Sequence, residues 1–117
     1  MGALLAAVSG AQTPKAREIM TDPRRGNCIL CHHIPLSGIS KGAFGNIGPS
    51  LDHVGARLRV AQLRARIVDP RSSSPNTVMP AYGSTQGLYR VQREYEGKTI
   101  LSDAEIDELA VYLAMLK

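Results

Sequence analysis

The clearest hydrophobic pattern in the chain lies near its C-terminal end. Apolar side chains recur there with helical spacing, at Ile106, Leu109, Ala110, Tyr112, Leu113 and Leu116. Ser102 and Glu105 stand just ahead of this stripe at the spacing of a capping box, in which each side chain satisfies a free main-chain amide at the helix start. We therefore predict a final helix that begins directly after Ser102.

A first helix is predicted near the N-terminal end. Thr13 provides a cap, and Pro14 suits the first turn of a helix. Ile19 and Met20 continue this helix, and we expect it to end near Asp22, because the residue before a proline is pushed out of the helical region. Residues 1–12 have no periodicity, so we expect a flexible tail ahead of one domain over residues 13–117.

A middle helix is predicted from Val60 to Val68. Val60, Leu63 and Ile67 fall on one apolar face, and Asp69, which precedes a proline, ends the segment. Residues 34–49 are rich in glycine and proline, and residues 70–101 show little periodicity, so both are predicted loops. A loop as long as the second is reasonable when it wraps a cofactor. The expected fold is all-α, with a few helices and long loops.

Composition narrows the class of protein further. The chain has 117 residues, of which 44% are hydrophobic and 21% charged, as in a globular domain. Only 4% are aromatic, so a buried prosthetic group could supply part of the core. The net charge of +4 suits docking to acidic partners, but the arginine-rich tract 57–71 contains no aromatic residue, so nucleic acid is not an expected partner. No apolar run approaches the roughly 18 residues of a membrane span.

The candidate chemistry lies in NCILCHH, residues 27–33, which holds both cysteines and two of the three histidines. A C-x-x-C redox dithiol normally lies among strands, and none is predicted beside it. A zinc site needs four ligands, and only His33 or His53 could join the cysteines without obvious strain. A disulfide between Cys28 and Cys31 would close a very small, strained ring, and it would leave His32 unexplained.

Covalent haem attachment accounts for the whole cluster. C-x-x-C-H is typical of c-type haem binding. Cys28 and Cys31 lie about one helical turn apart, so both sulfurs can reach the two vinyl-derived carbons at one edge of the porphyrin. His32 then projects toward the iron as its fifth ligand. We therefore predict one covalently bound haem c.

The sixth iron ligand is predicted to be Met79. This residue lies in the long loop, and the following Pro80 stiffens the chain there. A thioether sulfur opposite a histidine raises the reduction potential of the iron. His53 is the competing ligand, whereas Met20 and Met115 lie on apolar helix faces and are expected to fill the core.

Residues 13–117 resemble the class I cytochrome c family in four features: a helix before the C-x-x-C-H motif, the run Gly48–Leu51, the pair Met79–Pro80 and a final helix. The resemblance implies a cytochrome c fold around the haem. It implies that the carbonyl of Pro49 lies against the second ring nitrogen of His32. It also implies that the first and last helices cross through a small residue and an aromatic, which Ala16, Met20 and Tyr112 match approximately. His33 is expected at the surface or beside the haem propionates.

Four further stretches resemble the SoxX family, the monohaem subunits of SoxAX complexes in bacterial thiosulfate oxidation. They are Gly26–Cys28, Val68–Pro70, Gly87–Val91 and Tyr95–Leu101. The resemblance implies a heterodimer with a SoxA-like cytochrome that carries one or two haems. The complex would act as an L-cysteine S-thiosulfotransferase, while this chain alone catalyses nothing.

In this interpretation the chain accepts electrons from the SoxA-like subunit and passes them to a soluble cytochrome c. A free-standing periplasmic electron shuttle is the alternative, because a basic surface suits many redox partners. Covalent haem is installed outside the energy-coupling membrane, so we expect a periplasmic protein. Residues 3–8 make a poor signal peptide, and we expect the chain to be a mature or engineered form.

Overall fold

The computed structural model of the chain describes residues 15–39, 44–88 and 91–117. These residues form helices and turns but no strand. The helices are α1 (residues 15–21), α2 (Val54–Arg57), α3 (Val60–Val68) and α4 (Asp103–Ala114). Four 3₁₀ turns lie at Cys28–Leu30, Pro35–Ser37, Pro70–Ser72 and Arg93–Tyr95. The predicted all-α fold is confirmed.

The last helix, α4, begins with the predicted capping box. Ser102 Oγ accepts a hydrogen bond from the amide of Glu105 at 3.2 Å, and the amide of Ser102 donates to Glu105 Oε1 at 2.9 Å. The predicted apolar stripe is buried along its length, at Ile106, Leu109, Ala110, Tyr112, Leu113 and Leu116. Met115 is 43% exposed, so its predicted place in the core is wrong; it is the cap residue at the end of α4, and the buried side chains there are those of Leu113 and Leu116.

The first helix, α1, packs against α4. Ala16 and Met20 are fully buried, in the same apolar cluster as Tyr112. Lys15 lies 3.8 Å from Glu108 across the two helices. The helical residues end at position 21, which confirms the predicted end near Asp22. The predicted cap at Thr13–Pro14 and the predicted tail over residues 1–12 lie outside the described residues.

The middle helix, α3, has the predicted bounds and also packs on α4. Leu63 and Ile67 are buried, as predicted. Val60 is 41% exposed, which corrects its predicted place on the buried face. It is the first residue of α3, and this helix contributes to the apolar cluster only from Leu63 onward.

The one-turn helix α2 was not predicted. Its first residue, Val54, is buried, and the amide of Gly55 donates to the carbonyl of Leu116 at 2.8 Å. A Cβ atom at Gly55 would lie only 2.1 Å from the carbonyl oxygen of Ala114, so glycine permits the close approach of α2 to the end of α4. Four residues are too few for a hydrophobic period to reveal a helix.

The long loop between α3 and α4 returns to the core halfway along its length. Tyr82 is buried, its amide donates to the carbonyl of Ile67 at 3.1 Å, and its carbonyl accepts from the amide of Leu101 at 3.1 Å. Apart from two 3₁₀ turns, the described part of this loop has no helix. The loop is therefore attached to the core at Tyr82, and Met79 lies just before that attachment.

Candidate functional site

The C-x-x-C-H motif folds as one tight turn. Cys28 begins a 3₁₀ turn, and its carbonyl accepts from the amide of Cys31 at 3.2 Å and from the amide of His32 at 2.9 Å. The preceding residue, Asn27, has a left-handed backbone with φ of 47°, which asparagine tolerates better than most residues. The turn therefore brings both cysteines and His32 together within five consecutive residues.

A hydrogen bond fixes the orientation of the His32 ring. Its Nδ1 donates to the carbonyl oxygen of Pro49 at 2.7 Å, which leaves Nε2 free as an electron-pair donor. Gly48 lies against the same ring, and a Cβ atom there would be 2.5 Å from His32 Cε1. The ring thus sits in a cradle that only glycine permits, with one nitrogen available to a metal.

The motif turn is backed by the segment that follows it. The amide of Gly45 donates to the carbonyl of Ile29 at 2.9 Å, and the amide of Gly48 donates to the carbonyl of Cys31 at 2.8 Å. A Cβ atom at Gly45 would lie 1.8 Å from the carbonyl oxygen of Leu30. Main-chain contacts therefore hold residues 44–49 directly against the motif.

The structure weakens the alternative uses of the cysteines. Both are free thiols, so they form no disulfide. Burial raises the pKa of the Cys28 thiol to about 12, whereas a redox dithiol needs a thiolate near neutral pH. Within the described ranges, no three His, Cys, Asp or Glu side chains are placed to hold a metal ion together, so no four-ligand zinc site is seen there.

Met79 lies in the loop segment just before Tyr82. Its side chain is partly buried against the apolar core, and its amide donates to Thr77 Oγ1 at 3.1 Å. Pro80 follows directly and limits the backbone conformations available there. The methionine sulfur is therefore carried by a locally constrained segment that packs on the core.

The Met79 segment is attached to the motif segment through Tyr82. The Tyr82 hydroxyl donates to the carbonyl oxygen of Gly26 at 2.5 Å, two residues before Cys28. Burial is the largest cause that raises the pKa of Tyr82, so its hydroxyl stays a protonated donor across the physiological pH range. Tyr82 has no predicted role, because a contact across 56 positions leaves no local pattern in the sequence.

A second tyrosine joins the same two segments. The hydroxyl of Tyr95 donates to the carbonyl oxygen of Arg24 at 2.7 Å. This contact is exposed, unlike that of Tyr82. The segment 24–26, which leads into the haem motif, is thus bonded twice to the loop that carries Met79.

Of the two other histidines, His33 directly follows the motif and its ring contacts the segment 44–49, whereas His53 is bonded to the end of the chain. His53 is exposed, with a left-handed φ of 66°, and its Nδ1 donates to the main-chain oxygen of Lys117 at 2.9 Å. This bond ties His53 to the end of the chain, whereas Met79 packs in the loop joined to Gly26. His33 is exposed, and its ring packs edge to face on Phe44 with centroids 5.6 Å apart.

Compared with known protein families, residues 12–117 match the family described as Cytochrome c. The chain belongs to the cytochrome c family. It is similar to a chain in the crystal structure of SoxXA from P. pantotrophus, with 30% sequence identity and a TM-score of 0.78. The match covers 90% of this chain and 81% of that chain. A search of curated proteins gave no match.

Family membership implies a covalently bound haem c and a role in electron transfer. The described residues fit this group in their donor set and in their shape. Two thiols on one turn suit two thioether bonds, and the cradle at Gly48 holds the His32 ring with Nε2 free. Several apolar side chains are only partly buried against the core, among them Ile29 in the motif, Phe44 beside it and Met79 in the long loop.

Proposed function

We propose that this chain is the monohaem electron-transfer subunit of a SoxXA-type thiosulfate-oxidising complex. The observation that carries the proposal is the 30% identity to a SoxXA chain across 90% of this sequence. The single C-x-x-C-H motif supports one haem per chain. The SoxX-like stretches support the same assignment, although Tyr89 and Arg90 within them lie outside the described residues.

The site residues take distinct roles in this proposal. Cys28 and Cys31 would hold the haem as thioethers, and His32 and Met79 would be the ligands of its iron. When bound, the haem supplies reversible one-electron exchange. The Nδ1–H donation from His32 to Pro49 orients the imidazole and raises the basicity of its Nε2.

These assignments leave no free cysteine thiol and no open iron position, so they favour electron transfer over substrate chemistry. The sequence has only two cysteines, so no thiol remains for substrate chemistry once both form thioethers. With Met79 as the sixth ligand, the iron has no open position for a substrate. Bond formation would therefore belong to the partner, and the chain would carry electrons only.

The proposed partner is a SoxA-like cytochrome with one or two haems. The complex would join thiosulfate to a carrier-protein cysteine as an L-cysteine S-thiosulfotransferase. This forms one sulfur–sulfur bond and releases the thiol proton and two electrons. This chain, with one haem, would accept these electrons one at a time and pass them to a soluble cytochrome c. The proposed location is the periplasm. In the described ranges, no helix is long and apolar enough to cross a membrane.

Two measurements on the chain and its partner test the proposal. Intact mass spectrometry with a pyridine haemochrome spectrum should find one covalent haem c per chain. Co-expression with a SoxA-like protein from the same organism should give a complex that elutes as one species. In that complex, thiosulfate and the carrier protein together should reduce this chain's haem. A chain that stays monomeric and reduces a cytochrome oxidase without the partner would instead be a free-standing shuttle.

A further inference from the structure

Met79 lies in residues 71–87, a shorter segment within the long loop between α3 and α4. The side chain of Arg71 joins the two ends of this segment. At the near end, its Nε and Nη2 each donate to one carboxylate oxygen of Asp69 at 2.8 Å. At the far end, Nη2 donates to the carbonyl of Gln86 at 2.7 Å and Nη1 donates to the carbonyl of Gly87 at 3.1 Å. One guanidinium thus connects points 15 and 16 positions apart in the chain.

The near end of this connection is anchored in the fold. Asp69 directly follows α3, and its carboxylate also accepts from the amide of Arg71 at 3.1 Å. Pro70 between them is buried. The hydrogen bond from Arg71 is the main cause that lowers the pKa of Asp69, so the carboxylate remains charged near neutral pH. The guanidinium is therefore held in one orientation before it contacts the far end of the loop.

Among the described residues, the far end has only a local bond, from the amide of Gln86 to Ser84 Oγ at 3.2 Å, besides those from Arg71. Gln86 and Gly87 are exposed, and Gly87 has a φ of 66°, so the chain turns there in a conformation that favours glycine. Closing a flexible loop costs conformational entropy that its closing contacts must offset. The hydrogen bonds from Arg71 to the carbonyls of Gln86 and Gly87 offset this entropy cost. They lie on the C-terminal side of the attachment at Tyr82.

We propose that Arg71 is a positioning residue for Met79. The main chain already bonds Tyr82 to Ile67 and Gly83 to Val68, and the guanidinium adds a second closure of residues 71–87 beyond them, which keeps the Met79 sulfur in place against competing ligands. The inference rests on the proposed function, in which Met79 is an axial ligand. The planar fork of arginine is required, because a lysine has no pair of parallel donors to match the Asp69 carboxylate.

Arg64 offers a matched control. Its Nε donates to Asp107 at 2.7 Å and its Nη2 donates to Asp103 at 3.3 Å. These two ion pairs join α3 to α4 at the surface, and neither of them involves residues 71–87. A loss of surface ion pairing in general would therefore affect Arg64 and Arg71 variants alike, whereas a role in loop closure would separate them.

The test uses the haem-loaded chain in its ferric form, with imidazole as the competing ligand. The binding rate is followed by the loss of the absorption band of methionine-ligated ferric iron. Arg71→Gln should raise the imidazole binding rate by about tenfold or more, the order expected when hydrogen bonds to a charged group are lost. Arg71→Lys should give an intermediate rate, and Arg64→Gln should bind imidazole at the wild-type rate even where its melting temperature falls.

Two results would overturn the proposal in distinguishable ways. Equal imidazole rates for Arg71→Gln and Arg64→Gln would remove the positioning role and leave Met79 as a ligand. Absence of the methionine–iron band from the wild-type protein would contradict the assignment of Met79 as a ligand, and the proposed role of Arg71 would fall with it. Should Arg71→Gln fail to fold, Arg71→Lys and Asp69→Asn carry the same comparison, and wild-type rates in both would overturn the role.

Discussion

The two segments that we assign to the haem are held in different ways. The segment that contains Cys28 and His32 is held by main-chain bonds from the segment that follows it, those of Gly45 to Ile29 and of Gly48 to Cys31. The loop that contains Met79 has main-chain bonds at Tyr82 and Gly83, and it is also held by the side chains of Tyr82, Tyr95 and Arg71. Main-chain contacts survive most substitutions, whereas a side-chain contact depends on one residue. We therefore expect substitutions on the methionine side to alter the iron site without loss of the haem.

The largest expected effect is on the motif side. Replacing both Cys28 and Cys31 by alanine should abolish covalent haem, because no other cysteine exists to form a thioether. Intact mass spectrometry under denaturing conditions measures this directly. His33→Ala is the control, since His33 is exposed and packs only on Phe44 among aromatic rings. A haem-sized mass on the double variant would rule out thioether attachment.

Loss of the proposed sixth ligand should change the iron without releasing the haem. Met79→Ala should abolish the methionine–iron band, lower the reduction potential and allow carbon monoxide to bind the ferrous form. Spectroscopy and potentiometric titration measure these changes. Met115→Ala, at a 43% exposed methionine, should leave all three properties as in the wild type. Retention of the band in Met79→Ala would exclude this residue as the ligand.

The Tyr82 hydroxyl should contribute to stability through its bond to Gly26. Tyr82→Phe leaves that buried carbonyl without its donor, so unfolding should become easier by about 1–3 kcal/mol. Tyr95→Phe removes an exposed bond to Arg24 and should cost less, since water can replace the lost donor. Chemical denaturation of both variants tests this order. Equal losses would show that burial does not distinguish the two bonds.

The smallest expected effect is a dependence on pH at Asp69. Its pKa is lowered in the folded protein, mainly by the hydrogen bond from Arg71. A depressed folded-state pKa contributes stability above the unfolded value, near 3.8, and this contribution disappears as the pH falls through the folded value. The acid-side loss of melting temperature should therefore be shallower in Asp69→Asn than in the wild type. Parallel curves would contradict this assignment.

Local patterns predicted the helices that short-range physics determines. The capping box at Ser102 and the bounds of α3 were confirmed, because both depend on residues within one or two turns. Val60 and Met115 were placed wrongly, since helical spacing gives a face but does not show where the neighbouring helix ends. Burial of a terminal turn depends on tertiary packing, which one sequence does not display.

The same distinction between local patterns and long-range contacts applies to the candidate site. Its chemical groups were evident from the C-x-x-C-H motif and from the Met79–Pro80 pair. The contacts that attach the loop to the motif were not predicted, because the bond from Tyr82 to Gly26 spans 56 positions. The connection from Arg71 to Gln86 spans 15 positions inside a segment without periodicity. Contacts of this kind become visible only when the fold brings the two segments together.

Near-infrared magnetic circular dichroism of the ferric, haem-loaded chain tests the proposed iron site most directly, because its charge-transfer band identifies both axial ligands. With His32 and Met79 on the iron, the spectrum should show the band of a histidine–methionine pair. A band from two histidines would favour His53 in place of Met79. A spectrum of iron with a water ligand would mean that the sixth position is open to exogenous ligands, and the chain would then not be a closed electron-transfer cytochrome.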